Sequence, residues 1–169
     1  MAGRHRERRD HPGRRQKGGG KLQNFCLNTN GNVFACLGSS TPRGKDDSAQ
    51  IKVFSPDGKL LESWPLPSTP EAICVDPAGA IFVGGAGRIL KLGQNGKVLT
   101  SADSPAVAAA VYQKMLQGRQ QNVTGIAVTG EDLFVACPSV SDFTYSVYRL
   151  DRDLKNSKLI VKGLHGCCG

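Results

Sequence analysis

The chain has little histidine, few aromatic residues and no long apolar run, and each shortage excludes a class of function. Three histidines occur in 169 residues, and two of them, His5 and His11, stand in the first eleven. His165 is thus the one histidine of the body, which leaves little material for a nucleophile–base pair. No C-x-x-C, H-x-x-x-H or H-E-x-x-H spacing offers a metal site, and no G-x-S-x-G marks a nucleophile elbow. Aromatic residues make up 6 %, with a single tryptophan, Trp64. No stretch approaches the ~20 apolar residues that a membrane-spanning helix needs. The N-terminus is charged but carries no apolar h-region, so no secretory signal is read as the sequence stands. The compartment stays open, an exported one included.

What is present is glycine (21) and proline (9), placed mostly between short apolar runs, which is turn chemistry rather than low complexity. Charge is also present but unevenly spread. Of a formal net charge of +8, six units belong to residues 1–21, which hold Arg4, Arg6, Arg8, Arg9, Arg14, Arg15, Lys17 and Lys21 against Glu7 and Asp10. Repulsion and the Gly18–Gly20 run predict a disordered basic arm over residues 1–21. Such an arm would bind nucleic acid or anionic lipid nonspecifically, through Arg4, Arg6, Arg8, Arg9, Arg14, Arg15 and Lys17, although it has no aromatic residue for base stacking. The body, 22–169, is close to neutral.

From Leu22 onward the apolar runs repeat. One hairpin unit reads Phe25–Leu27, an Asn-rich turn with Gly31, then Val33–Cys36; it recurs as Ile73–Val75, Asp76–Gly79, Ala80–Val83, and again as Ile126–Val128, Thr129–Asp132, Leu133–Cys137. A second unit follows each: Ile51–Phe54 and Lys59–Trp64 around Ser55-Pro56-Asp57-Gly58, Arg88–Leu92 and Lys97–Leu99 around Gly93–Gly96, and Ser146–Leu150 with Lys158–Val161. Glycine turns and β-branched or aromatic strands make these hairpins. Ile73 lies 48 residues after Phe25, and Ile126 a further 53 on. Four strands at a period of roughly 40–50 residues predict propeller blades. The expected fold is all-β: an arc of about three four-stranded blades, with units near 22–66, 67–103 and 122–165.

Residues 104–121 interrupt the strands. Ser104 can cap a helix, Pro105 suits its first turn, Val107, Val111 and Met115 fall on one stripe, and Gly118 can end it. One inserted helix is expected, packed across a blade edge or lying as a lid over a binding face.

The run Pro70-Glu71-Ala72-Ile73-Cys74-Val75-Asp76-Pro77-Ala78-Gly79-Ala80-Ile81-Phe82-Val83, with Ile51-Lys52-Val53-Phe54-Ser55-Pro56-Asp57-Gly58-Lys59-Leu60, resembles the repeat of the NHL family of β-propellers. Residues 123–135 fit the same repeat, 25–36 fit it more loosely, and 161–169 resemble the joint to a further blade in bacterial NHL-like proteins. The resemblance implies a scaffold that binds protein, RNA or carbohydrate and rarely catalyses. NHL repeats commonly carry Asp after the aromatic strand, where Cys36, Gly84 and Cys137 stand here, so no acidic or metal site is transferred. A closed propeller takes about four to eight blades. Three therefore imply a fragment of a larger propeller, or an arc that a partner completes, with exposed strand edges open to self-association.

The function expected is a noncatalytic scaffold for a macromolecule, an unidentified protein partner or a small polar ligand, with no catalytic residue, metal or cofactor assigned. The alternatives are a propeller enzyme with a central-channel site of lyase or hydrolase type, and nucleic-acid binding through the arm. Cys167 and Cys168 form a candidate thiol or redox pair, against the plainer reading of two ordinary thiols at a tight joint. His165 stands close enough to suggest a soft metal, but adjacent cysteines in extended chain point to opposite sides. Gly84–Arg88 leads into a strand and reads as a turn rather than a phosphate cradle, and Asn122-Val123-Thr124 is a glycosylation sequon.

Overall fold

The structure, a computed structural model, describes residues 20–39, 46–114, 116 and 121–166. These form three four-stranded antiparallel sheets, each a simple meander in chain order. Sheet 1 comprises β1 (Lys21–Leu27), β2 (Val33–Gly38), β3 (Gln50–Phe54) and β4 (Leu60–Pro65); sheet 2 comprises β5 (Ala72–Val75), β6 (Ile81–Gly85), β7 (Arg88–Leu92) and β8 (Val98–Asp103). Sheet 3 comprises β9 (Gly125–Thr129), β10 (Asp132–Pro138), β11 (Thr144–Asp151) and β12 (Ser157–His165). Their first strands adjoin, β1 beside β5 and β5 beside β9. The structure is all-β, three four-stranded sheets with one short helix, as the repeated hairpins led one to expect.

Local chemistry makes the turns. Asn28 Oδ1 accepts the N–H groups of Asn30 and Asn32, both at 3.0 Å, and Asp76 Oδ1 accepts that of Ala80 at 2.7 Å. These carboxamide and carboxylate caps nucleate the hairpins from within. Between β6 and β7 a two-residue turn places Ala86 and Gly87 at φ 49° and 76°, the left-handed geometry of a tight hairpin. Gly84 and Gly85 are thus strand residues, and the Gly-rich run is a hairpin, as expected.

Strand alternation then builds two cores that share the middle sheet. Ile81, Val83, Leu90 and Leu92 face sheet 1 and pack with Phe34, Cys36, Ile51, Val53 and Trp64. Phe82 and Ile89, one residue out of phase, face sheet 3 and pack with Leu133, Val135 and Leu150. Successive side chains of a strand point to opposite faces, so β6 is buried along its whole length.

Three differences from the sequence reading have physical causes. Lys21, expected in the arm, opens β1 of sheet 1, and Gly20 before it lies close against the sheet, where a Cβ would stand 2.7 Å from the Gly38 nitrogen. Of the helix expected over 104–121, the described residues hold α1 (Ala110–Gln113). Ser104–Ala109 is not helical: Ala106 and Ala108 are buried at 4 % exposure, while Val107 between them is 70 % exposed. Burial at a period of two overrides the helical stripe, and Val111 also points to solvent, at 77 %. Met115 and residues 117–120 lie outside the described residues. Lastly, the structural counterpart of Cys36 and Gly84 is Ala136, not Cys137. Four residues separate the paired Val128 and Leu133, against five between Leu27 and Val33 and between Val75 and Ile81, so Ala136 pairs with Gly125 as Gly84 pairs with Ala72.

Candidate functional site

Two hairpin turns meet where sheets 1 and 2 diverge at one end of the stack. The β1–β2 turn brings Asn28, Asn30 and Asn32, and the β5–β6 turn brings Asp76 to Gly79. Between them opens a cleft of about 300 Å³, floored by Phe34, Val53 and Ile81 and walled by Glu62, Trp64 and Gln94. Amides and two carboxylates, Asp76 and Glu62, over an apolar floor suit a small polar ligand.

Each wall is held from behind. Trp64 Nε1 donates to Glu62 Oε2 at 2.7 Å, and its ring lies 6.0 Å from that of Phe34, tilted by 49°. Gln94 Nε2 reaches the Ala78 carbonyl at 3.5 Å, linking the β7–β8 turn to the β5–β6 turn. Asp76 is 2 % exposed. Its Oδ1 is spent on the turn; Oδ2 takes part in no conventional hydrogen bond and instead meets the Arg152 guanidinium as an ion pair. Arg152 comes from the β11–β12 turn of sheet 3, also donates to the Gly130 carbonyl at 2.8 Å, and lies over the Phe82 ring at 5.7 Å. Lys91 Nζ covers the same ring at 5.9 Å and pairs with Asp153 at 3.6 Å. Asp76 therefore locks sheet 2 to sheet 3 as well as lining the cleft.

At the opposite ends of the first strands a polar group converges that the sequence reading missed. Asn24 Nδ2 donates to the Glu71 carbonyl at 3.1 Å, and Asn122 Oδ1 accepts the Gly87 and Val123 N–H groups at 3.3 and 2.9 Å. Burial pushes the Glu71 carboxyl up, against a hydrogen bond from Asn122 that lowers it. Glu71 had a sequence signal, a lone acid before an apolar strand; its meeting with Asn24 and Asn122 depends on how the sheets adjoin. The sequon asparagine is therefore engaged in backbone contacts, and Val123 beside it is fully buried.

Cys167, Cys168 and the arm residues Arg4, Arg6, Arg8, Arg9, Arg14, Arg15 and Lys17 lie outside the described residues. Of the four described cysteines, burial pushes the thiols of Cys36 and Cys74 up to about 12 and that of Cys26 to about 11. Cys137 is raised too, and its Sγ lies 3.4 Å from Ser104 Oγ. These are packing thiols, not nucleophiles. Among the described residues no cluster of three or more His, Cys, Asp or Glu side chains could hold a metal, and no helix is long and apolar enough to cross a membrane.

No protein-family model matches the chain, and no curated protein matches it by sequence. Solved structures do match by shape. A Bacteroides caccae protein of unknown function superposes with a TM-score of 0.53 at 15 % identity, over 80 % of this chain and 48 % of that one. A eukaryotic initiation factor gives 0.53 at 12 % identity, over 83 % of this chain and 33 % of that one. The hydrazine synthase of Kuenenia stuttgartiensis gives 0.49 at 12 %, over 85 % and 50 %. The chain spans about half or less of each, and the likeness is one of fold.

Proposed function

We propose that this chain is a noncatalytic binding scaffold, an arc of an NHL-like β-propeller that holds a small polar ligand in the cleft between its first two sheets. Three meander sheets stacked through shared cores, with their first strands side by side, support the propeller reading, as does the repeat read from the sequence. The cleft carries the functional reading: Asn30, Asn32, Glu62 and Gln94 surround an apolar floor at a junction of sheets rather than on one sheet. The amides offer both donors and acceptors, and the two lining carboxylates are already engaged, Asp76 by Arg152 and Glu62 by Trp64, which favours a neutral, hydroxyl- or amide-bearing ligand.

Trp64 is the single tryptophan and lines this cleft, so its emission reports occupancy. Titration with a panel of neutral monosaccharides, polyols and amino acids should give a saturable emission change for one class, weakened about tenfold by Asn32→Ala or Glu62→Ala, the scale of one lost hydrogen bond. A flat response across the panel would overturn the assignment.

A further inference from the structure

Sheet 3 carries a second cavity, which shares no lining residue with the cleft between sheets 1 and 2. Its volume is about 270 Å³, the space of roughly nine waters, and it opens between the extended segment before α1 and the strands β10, β11 and β12. Alternation supplies one side: Thr144, Ser146 and Tyr148 stand two residues apart on β11 and line it together, with Cys137 of β10 paired to Ser146. The opposite side is fixed by Gln121, buried at 8 % exposure. Its Oε1 accepts the Val140 N–H at 2.9 Å, and its own N–H donates to the Ala106 carbonyl at 3.0 Å, so it ties the segment to the β10–β11 loop. The cavity is therefore braced by a buried amide.

One charge of each sign lines this cavity, Asp142 and Lys162, and no ion pair joins the two. Asp142 stands in the β10–β11 loop, where hydrogen bonds from Ser139 and Thr144 hold its carboxyl below the ordinary value. The Thr144 hydroxyl and N–H donate to its Oδ1 at 2.8 and 3.2 Å, so this oxygen is partly used and the group stays ionised. Lys162 arrives through a bulge. Tyr145 pairs with Leu164 and Val147 with Val161, so Ser146 alone faces both Lys162 and Gly163, the latter at φ 76°. A bulge of this kind re-aims a side chain, and here it gives the cavity its cation beside Ser146. The hydroxyls of Ser146 and Tyr148 make no hydrogen bond among the described residues, and Ala109 and Leu159 add apolar surface. We infer that this cavity binds a free α-amino acid as its zwitterion, the carboxylate on Lys162 and the ammonium on Asp142. The flexible stem of Lys162 lets its ammonium follow the carboxylate, Ser146 and Tyr148 supply the remaining hydrogen bonds, and the ligand side chain rests on Ala109 and Leu159. Both charges are needed, because either one alone would leave the other cavity charge without a partner. The site is independent of the cleft and of the ligand proposed there.

Isothermal titration of the full chain with L-alanine, L-valine and L-leucine tests it. A saturable heat is expected for at least one of them. Isoamylamine and 4-methylpentanoate keep the leucine side chain but lose one charge each, and should bind at least about tenfold more weakly than L-leucine. Lys162→Gln and Asp142→Asn, made separately, should each weaken the amino acid by about tenfold, the scale of one lost charged hydrogen bond. Lys162 is exposed, so its substitution should leave the thermal melt unchanged. Amide shifts in the labelled protein should fall within 139–148 and 159–163 while Trp64 emission stays constant. Heat from none of the three amino acids, equal binding of either single-charge analogue, unchanged binding in Lys162→Gln, or a stronger response to D-glucose would each overturn the assignment. So would amide shifts confined to Asn28–Asn32 and Asp76–Gly79, which would credit the amino acid to the cleft instead. Failure of this site and failure of the cleft are thus distinguishable.

Discussion

Asp46 and Asp76 are both turn carboxylates, yet they are stabilised in different ways. Asp46 receives the N–H of Ser39 at 2.6 Å, the N–H and hydroxyl of Ser48 at 3.0 and 2.6 Å, and the Thr69 hydroxyl at 2.7 Å. Burial raises its carboxyl, but these hydrogen bonds outweigh burial and hold it at about 2, against an ordinary 3.8. The folded value is the lower one, so the charged form favours the fold. Its contribution is complete above about pH 4 and is lost as pH falls toward 2, a loss that Asp46→Asn should largely remove from the acid-denaturation profile. Asp76 is held instead by one N–H and the Arg152 guanidinium. Asp76→Ala strands that cation against Phe82 and frees the Ala80 N–H; a loss of about 3 kcal/mol is expected in urea denaturation. The thiols give a third outcome. At pH 8 the native protein should leave Cys36 and Cys137 unalkylated, and denaturant should expose both to iodoacetamide, read by mass spectrometry.

At the scale of elements, the β3–β4 and β7–β8 turns are built alike and differ in what lies over them. Gly58 and Gly96 have φ of 84° and 75°, and each N–H donates three residues back, to Ser55 and Gly93, at 2.9 Å. A Cβ on Gly58 meets nothing, whereas one on Gly96 would strike the Trp64 indole. Gly58→Ala should therefore cost about 1 kcal/mol, the left-handed penalty alone. Gly96→Ala should cost roughly 1–3 kcal/mol more through overpacking and shift the Trp64 emission. The segment before α1 makes the opposite point. Val107→Ser with Val111→Ser should change stability by less than about 0.5 kcal/mol each, since both side chains already face water.

Across the whole molecule, sheet 2 belongs to two cores at once, and adjacent residues of β6 report on different halves. Ile81→Ala should lower stability by about 2–5 kcal/mol and Phe82→Ala by about 3–5. Their hydrogen-exchange signatures should differ: faster exchange in β2 and β3 for the first, in β10 and β11 for the second. Uniform acceleration by both would mean that the three sheets open only as one unit.

The sequence alone determined the hairpins, because turn chemistry and period-two alternation act over fewer than ten residues. Asn28, Asp76, Gly79 and the β-branched runs after them are sufficient to place most of the strands. It also placed the repeat, since three copies of the same two hairpins recur in order. Tertiary structure decided what those local signals leave equal. The Val107–Val111 spacing suits a helix, but burial of Ala106 in the core between sheets 2 and 3, with Ala108 buried as well, favours extended chain. The one-residue difference in the β9–β10 turn moved the register match from Cys137 to Ala136, a choice visible only through pairing. The cleft, the Asp76–Arg152 lock and the meeting of Asn24, Glu71 and Asn122 join residues 45 to 80 positions apart or draw on separate sheets. No local propensity encodes such distances; the stacking of one sheet on the next does.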